Sequence, residues 1–236
     1  MITIKRKLVV LLFTVIPFMW GCGEAGQTEQ AARATTANQE TSPQKSTRTQ
    51  TILFFGNSLT AGYGLEPDQA FPALIQERID SLNLPYKVIN AGVSGETTAG
   101  GKSRIDWLLK QPIDIFVLEL GANDGLRGIN LTETYQNLQS IIGKVRAKYP
   151  DVKIVLAGMQ IPPNMGKTYA QEFQNIFTRL EKEENVVLIP FLLENVAGIP
   201  KLNQADGVHP TEEGQKIVAE NVWQLLEPIV TSKAEV

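Results

Sequence analysis

The chain has 236 residues and a formal net charge of −3, with a single cysteine, Cys22, and a single histidine, His209. A slightly acidic chain lacks the basic face that nucleic-acid binding requires, so we expect no nucleic-acid partner. One cysteine excludes an intrachain disulfide, and one histidine with one cysteine supplies too few ligands for a zinc site, so we expect neither metal nor cofactor.

The first residues have the pattern of an export signal. Basic side chains at positions 5–7 precede an apolar run at 8–20, which predicts a signal peptide over residues 1–21. The alternative is a short anchor helix, but the run falls below the roughly 20 apolar residues that a spanning helix needs. Cys22 follows a glycine at the end of this run and resembles the lipidated cysteine of bacterial lipoproteins; an incidental cysteine is the alternative.

Residues 22–50 are rich in Thr, Gln, Ala, Ser and Glu and contain no aromatic, Leu, Ile or Val residue. Such a segment buries too little apolar surface to offset the entropy of ordering, so it is predicted to be a disordered tether. Together with Cys22 it predicts an exported protein of the periplasm or cell envelope, held at a membrane by an N-terminal lipid anchor.

Residues 51–230 are predicted to form one domain, followed by a short tail at 231–236. Short, continuously apolar runs predict buried strands, and segments with helical spacing lie between them. The strands are predicted at 51–55, 87–90, 114–120, 152–157 and 186–189. The helices are predicted at 70–82, 103–109, 132–148, 169–184 and 211–226. This alternation predicts a three-layer α/β/α sandwich around a five-stranded parallel sheet.

The polar residues of interest follow the carboxyl ends of the predicted strands, where ligands bind in parallel sheets. Ser58 stands at the turn after the first strand, where it is either a nucleophile or a helix N-cap. Asp206 lies three residues before His209, close enough to orient the imidazole as a general base; a surface histidine beside a turn aspartate is the alternative. Gly95 and Asn123 offer a backbone and a side-chain N–H donor, or are simply turn and loop residues.

A second motif competes for the loop after the second predicted strand. Residues 95–103 resemble a phosphate-binding loop that ends in Gly-Lys-Ser. That motif requires four residues between its first glycine and the Gly-Lys pair. Here five residues separate Gly95 from that pair, and the glycine position that would fit is Glu96, whose carboxylate would repel phosphate. A nucleotide-binding function is therefore not favoured.

Four sequence blocks, in order, resemble the SGNH (GDSL) hydrolase superfamily, and in particular its thioesterase I, lysophospholipase and arylesterase branch. The blocks are residues 55–64, 90–97, 119–128 and 206–210. The resemblance implies a flavodoxin-like sheet and a serine esterase that acts on small-molecule ester or lipid substrates. It implies a catalytic triad of Ser58, His209 and Asp206. It also implies an oxyanion hole from the Ser58 and Gly95 N–H groups and the Asn123 side chain.

The residue before Ser58 departs from the usual family pattern, and the region around residues 161–169 is a candidate substrate pocket. The family usually has Asp before the nucleophile, whereas this chain has Asn57, which keeps the shape but removes a charge. In the same branch the region of Ile161, Met165 and Tyr169 borders the acyl pocket, although Tyr169 also has the helical spacing of a core residue. A carbohydrate acetyl esterase and a non-catalytic surface binding module are the alternative functions.

Overall fold

The computed structural model describes residues 48–232. The predicted signal peptide, Cys22 and nearly all of the predicted tether lie outside the described residues. The folded chain already includes Arg48, which pairs with Asp114 at 2.7 Å, and Gln50, whose N–H donates to the Pro85 carbonyl. The first strand thus begins one residue before the predicted domain boundary. Within residues 48–232, no helix is long and apolar enough to cross a bilayer.

The five parallel strands lie in the order β2-β1-β3-β4-β5, as in a flavodoxin-like sheet. They are β1 (Gln50–Gly56), β2 (Tyr86–Asn90), β3 (Ile115–Glu119), β4 (Lys153–Ala157) and β5 (Val187–Ile189). Every residue of the central strand β3 is buried, whereas the edge strand β2 is partly exposed. The continuous apolar run of β3 is therefore explained by helices that cover both of its faces.

Seven helices surround the sheet in the described part of the chain. They are α1 (Ser58–Ala61), α2 (Phe71–Ser81), α3 (Thr98–Leu108), α4 (Ala122–Leu126), α5 (Leu131–Lys148), α6 (Lys167–Glu184) and α7 (Glu212–Thr231). Helix α3 packs against α5 and α5 against α6, while α2 packs against α7. The two groups of helices cover opposite faces of the sheet, as the right-handed crossover rule requires for this strand order, so the predicted three-layer sandwich is confirmed.

Helix α3 begins five residues before its predicted start at 103. The Thr97 hydroxyl caps the new start by accepting from the Gly100 N–H at 3.3 Å. Two glycines in the first turns lower helix propensity, which hid this part of the helix from the sequence pattern. The helix uses one of them for packing, because a Cβ at Gly101 would lie 2.4 Å from the Leu120 side chain.

Candidate active site

The Ser58 loop connects β1 directly to the short helix α1 at the carboxyl edge of the sheet. Ser58 is the first residue of that helix and is 8 % exposed. The N-cap is Asn57, whose Oδ1 accepts from the Leu59 N–H at 2.9 Å. The capping role that the sequence left open for Ser58 therefore falls to its neighbour, and the serine hydroxyl is available for other contacts.

The Ser58 hydroxyl contacts the histidine loop, residues 206–209. Its Oγ lies 2.8 Å from His209 Nε2, and His209 Nδ1 lies 2.6 Å from Asp206 Oδ2. When Nδ1 carries its proton toward the carboxylate, Nε2 is left as the acceptor for the serine hydroxyl. The structure thus brings together three residues that the sequence had placed in two separate loops.

Asp206 is fixed by its own loop. Its Oδ1 accepts from the backbone N–H groups of Val208 and His209 at 2.9 and 3.0 Å. The hydrogen bond to the imidazole, aided by these two backbone donors, lowers the pKa of the Asp206 carboxyl to about 2. The carboxylate is therefore ionised at any working pH and can hold one tautomer of His209.

Two neighbours brace the histidine loop, and neither was identified from the sequence. The Tyr63 ring packs against the imidazole with centroids 4.6 Å apart. The Gln204 side chain donates to the carbonyls of Tyr63 and Pro210 at 2.7 and 3.0 Å, and its backbone N–H donates to the His209 carbonyl at 2.7 Å. The contacts of Tyr63 with Gln204 and His209 have no short sequence motif, because they join segments about 140 residues apart in the chain.

The two further candidate donors follow β2 and β3: Gly95 lies in a loop, and Asn123 lies in the first turn of α4. Gly95 has a φ of +78°, a left-handed conformation that favours glycine, and its carbonyl accepts from Arg127 at 3.0 Å. Asn123 borders the cleft, and its Nδ2 donates one hydrogen to the Glu96 carbonyl at 3.0 Å. Since that nitrogen carries two hydrogens and the described residues provide one partner, the second hydrogen remains for a ligand.

The cleft beside Ser58 and His209 has a volume of about 690 Å³. Its wall is mostly apolar and includes Leu126, Met159, Ile161, Phe191 and Leu193. Of the three residues predicted for an acyl pocket, only Ile161 lies on this wall. Met165 stands outside the cleft at the surface, and the Tyr169 hydroxyl donates to the Ile129 carbonyl at 2.9 Å while its ring packs on the core.

The charged residues of the segment that resembles a phosphate-binding motif form contacts within the protein. Glu96 receives two hydrogen bonds of 2.5 Å from Arg104, whose guanidinium also stacks over the Phe55 ring and donates to the Ala91 carbonyl. Lys102 donates to Asn137 on α5 at 3.2 Å. The carboxylate and the lysine therefore stabilise the loop and its helix, and the chain does not form a phosphate cradle there.

A buried carboxylate lies beneath the Ser58 loop. Glu119, the last residue of β3, is 1 % exposed and accepts hydrogen bonds from both Asn57 and Thr60. Burial outweighs these hydrogen bonds and raises the pKa of Glu119 to about 7. Glu119 begins the family block at residues 119–128, but no role for it was predicted from the sequence. The available signal was an acidic residue at the end of a continuously apolar strand.

Comparison with known proteins identifies relatives of the whole described domain. Residues 54–217 match the family model described as GDSL-like Lipase/Acylhydrolase. Esterase TesA of Pseudomonas aeruginosa is 41 % identical over 182 residues, which cover 77 % of this chain and 90 % of that protein. Thioesterase 1/protease 1/lysophospholipase L1 of Escherichia coli is 38 % identical over 181 residues, covering 76 % and 85 %.

Solved structures agree with these sequence matches. The psychrotrophic esterase EstA of Pseudoalteromonas sp., in a structure inhibited by monoethylphosphonate, aligns with a TM-score of 0.73 and 33 % identity. The alignment covers 77 % of this chain and 99 % of that chain. The predicted resemblance to SGNH hydrolases is thereby confirmed in both sequence and fold.

Proposed function

The chain belongs to the GDSL-like lipase/acylhydrolase family, and on that premise we propose that it hydrolyses carboxylic esters or thioesters through an acyl-enzyme on Ser58. The observation that carries the proposal is the continuous contact from Ser58 Oγ to His209 Nε2 and from His209 Nδ1 to Asp206, at 2.8 and 2.6 Å. A serine hydroxyl needs such a base to become a nucleophile at neutral pH.

In the first half-reaction, His209 Nε2 takes the proton of Ser58 as Oγ forms a bond to the ester carbonyl carbon. The carbonyl oxygen becomes an anion, and the backbone N–H groups of Ser58 and Gly95 and the free N–H of Asn123 stabilise it. The bond to the leaving group then breaks, and His209 returns the proton to the departing alcohol or thiol. Asp206 stabilises the imidazolium between these two proton transfers.

In the second half-reaction, a water molecule replaces the leaving group. His209 removes a proton from this water, which attacks the acyl carbon and regenerates the oxyanion. Collapse of that intermediate releases the carboxylic acid, and the proton on His209 returns to Ser58 Oγ. The serine proton thus leaves with the alcohol or thiol, and a proton from the attacking water replaces it on Ser58. His209 carries both protons in turn, so the cycle requires no other acid or base.

The apolar wall of the cleft supports an acyl-chain substrate. A substrate whose acyl chain lies along Met159, Ile161 and Leu193 would lose apolar surface to the protein, which stabilises the complex. An acetylated carbohydrate has no such chain, and a polar wall would suit it better. We therefore favour acyl and aryl esters, including lysophospholipids, over acetyl sugars.

Hydrolysis of a p-nitrophenyl ester series from acetyl to palmitoyl tests this proposal. We expect turnover by the wild type and its loss in Ser58→Ala, with the Ser81→Ala variant, altered at the far end of α2, as the matched control. A preference confined to the acetyl ester would favour the carbohydrate esterase. Absence of turnover on every ester would favour a non-catalytic binding module.

We also propose that the protein is exported and held at a membrane through lipidation of Cys22. The support is the basic and apolar pattern of residues 1–21 and the position of this single cysteine after it. Metabolic labelling with a radioactive fatty acid tests this. We expect label in the wild type and none in Cys22→Ser, and an unlabelled, freely soluble wild type would contradict the anchor.

A further inference from the structure

The contacts of Glu119 are concentrated on the segment that carries Ser58. Its Oε1 accepts from Asn57 Nδ2 at 2.7 Å. Its Oε2 accepts from the Asn57 N–H at 3.0 Å, the Thr60 N–H at 3.3 Å and the Thr60 hydroxyl at 2.8 Å. One buried side chain thus receives hydrogen bonds from the residues immediately before and shortly after the serine.

The contacts of Glu119 and Thr60 also fill the space beside Gly56, the last residue of β1. A Cβ at Gly56 would lie 2.6 Å from Glu119 Oε2 and 2.1 Å from Thr60 Oγ1, so glycine is required where the strand passes the carboxylate. Within residues 48–232, Glu119 forms no ion pair with a lysine or arginine, and the donors listed above are its compensation for burial. A buried carboxylate without an opposite charge is costly and is seldom explained by stability alone.

Asn57 connects Glu119 to the proposed nucleophile, because the nitrogen and the oxygen of its side-chain amide contact different partners. Its nitrogen donates to Glu119, while its oxygen accepts from the Leu59 N–H at 2.9 Å and lies 3.4 Å from Ser58 Oγ. Only one orientation of the amide satisfies both neighbours. With aspartate at position 57, a carboxylate oxygen would replace the amide nitrogen and would face the Glu119 carboxylate.

We propose that Glu119 and Asn57 are a matched pair of positioning residues that fix the Ser58 hydroxyl in line with His209. Neither residue is assigned a step in the reaction; Glu119 acts through Asn57 and Thr60. This inference rests on the proposed function, since it concerns the reactivity of the same serine. It accounts for Asn57, the residue at which the chain departs from the usual family pattern.

A swap of hydrogen-bond polarity tests the pairing. In Glu119→Gln, the new amide nitrogen faces the Asn57 nitrogen, so two donors oppose each other; in Asn57→Asp, two carboxylates do. In the double variant, the Gln nitrogen donates to the Asp carboxylate, the Gln oxygen keeps the Thr60 and backbone donors, and the Asp oxygen keeps the Leu59 N–H. Every hydrogen bond of the wild-type network is thus available again.

The experiment measures kcat and KM for a p-nitrophenyl ester at pH 8, and the rate at which a reactive phosphonate ester labels Ser58. A displacement of about 1 Å costs up to roughly 100-fold, so we expect a 10- to 100-fold fall in kcat and in labelling for each single variant. KM should change little, because neither side chain forms the apolar wall. We expect the double variant to recover to within about 5-fold of wild type, since it restores the geometry.

The control is Glu184→Gln, which changes a partly buried carboxylate paired with Arg146 at 3.1 Å, away from the Ser58 loop. We expect wild-type kcat and labelling in this control, whatever its melting temperature.

Single variants that melt at a lower temperature but keep wild-type kcat and labelling would overturn the proposal. A double variant whose loss equals the product of the two single losses would overturn it as well. Phosphonate labelling without ester turnover would refute the proposed function and leave the pairing open to the labelling comparison. Absence of both would refute the function and the pairing together.

Discussion

The two loops that build the site are held in opposite ways. The Ser58 loop is buried, and Glu119 receives hydrogen bonds from both of its ends. The Asp206–His209 loop is at the surface, where the Asp206 side chain is 42 % exposed and Gly207 has a φ of +69°. The difference indicates that the proposed nucleophile is positioned by the core, whereas the proposed base is positioned mainly by the Asp206 carboxylate and by surface hydrogen bonds. Changes in the first loop should therefore affect folding and activity together, and changes in the second should affect activity much more than folding.

The largest effect is expected from Asp206→Asn, the sharpest test of the exposed loop. The amide keeps the shape but cannot stabilise the imidazolium or enforce the tautomer, so kcat should fall by about 10³–10⁴-fold. The melting temperature should change by no more than a few degrees, because the side chain is largely exposed. Ester hydrolysis and thermal unfolding measure both quantities, and a loss below 10-fold would remove Asp206 from the proposed triad.

The buried loop should respond to Gly56→Ala in both readouts. The added methyl group would overlap Thr60 Oγ1 and Glu119 Oε2, and overpacking of this kind costs about 1–3 kcal/mol of unfolding free energy. Because the same atoms position Ser58, kcat should fall as well. Urea denaturation and ester hydrolysis provide the measurements. The matched control is Gly143→Ala on α5, where the added methyl group meets no atom within 4 Å. Normal activity in a destabilised Gly56→Ala would break the link between the two effects.

The pH dependence of stability separates the loops further. The pKa of Glu119 is raised to about 7, so between pH 4.5 and 7 the folded state binds more protons than the unfolded state. Its contribution to stability is fully present below pH 4.5 and is lost as the pH rises through 7. The pKa of Asp206 is lowered to about 2, so its contribution is present above pH 3.8 and is lost only as the pH falls toward 2.

Urea denaturation of wild type and Glu119→Gln at pH 5 and pH 8 measures this effect. We expect the wild type to lose more of its unfolding free energy between these values than the variant, which has no charge to bury. Equal losses would mean that Glu119 does not titrate in this range.

The smallest effect is expected from Gln204→Ala. Its side chain joins the histidine loop to the Tyr63 carbonyl through a partly exposed hydrogen bond of 2.7 Å. Such a bond contributes about 0.5–1.5 kcal/mol, so kcat/KM should fall at most about 10-fold, with little change in the melting temperature. Steady-state kinetics and thermal unfolding test this, and a large loss of stability would show that the histidine loop is held as firmly as the serine loop.

The sequence predicted the elements of this site that depend on chain order and strand ends. Ser58, Gly95 and Asn123 follow three parallel strands, and such residues meet at one edge of a sheet once the strands pair. Glu119 and Gln204 were not predicted to act on the site. An acidic residue at the end of an apolar strand marks Glu119 as unusual, but the neighbouring sequence does not show which distant segment either residue contacts. Tyr169 shows the converse, since its helical spacing suited both the cleft and the core, and tertiary packing decided for the core.

The hydrogen bond between Ser58 and His209 joins residues 151 positions apart, with the proposed nucleophile near the beginning of the domain and the proposed base near its end. A partly synthesised chain can therefore contain Ser58, helix α1 and Glu119 without yet containing His209. On the proposed mechanism, ester hydrolysis becomes possible only when the last loop and α7 have been added and the domain is complete. Under that mechanism, the growing chain would therefore stay inactive toward esters until the domain has folded.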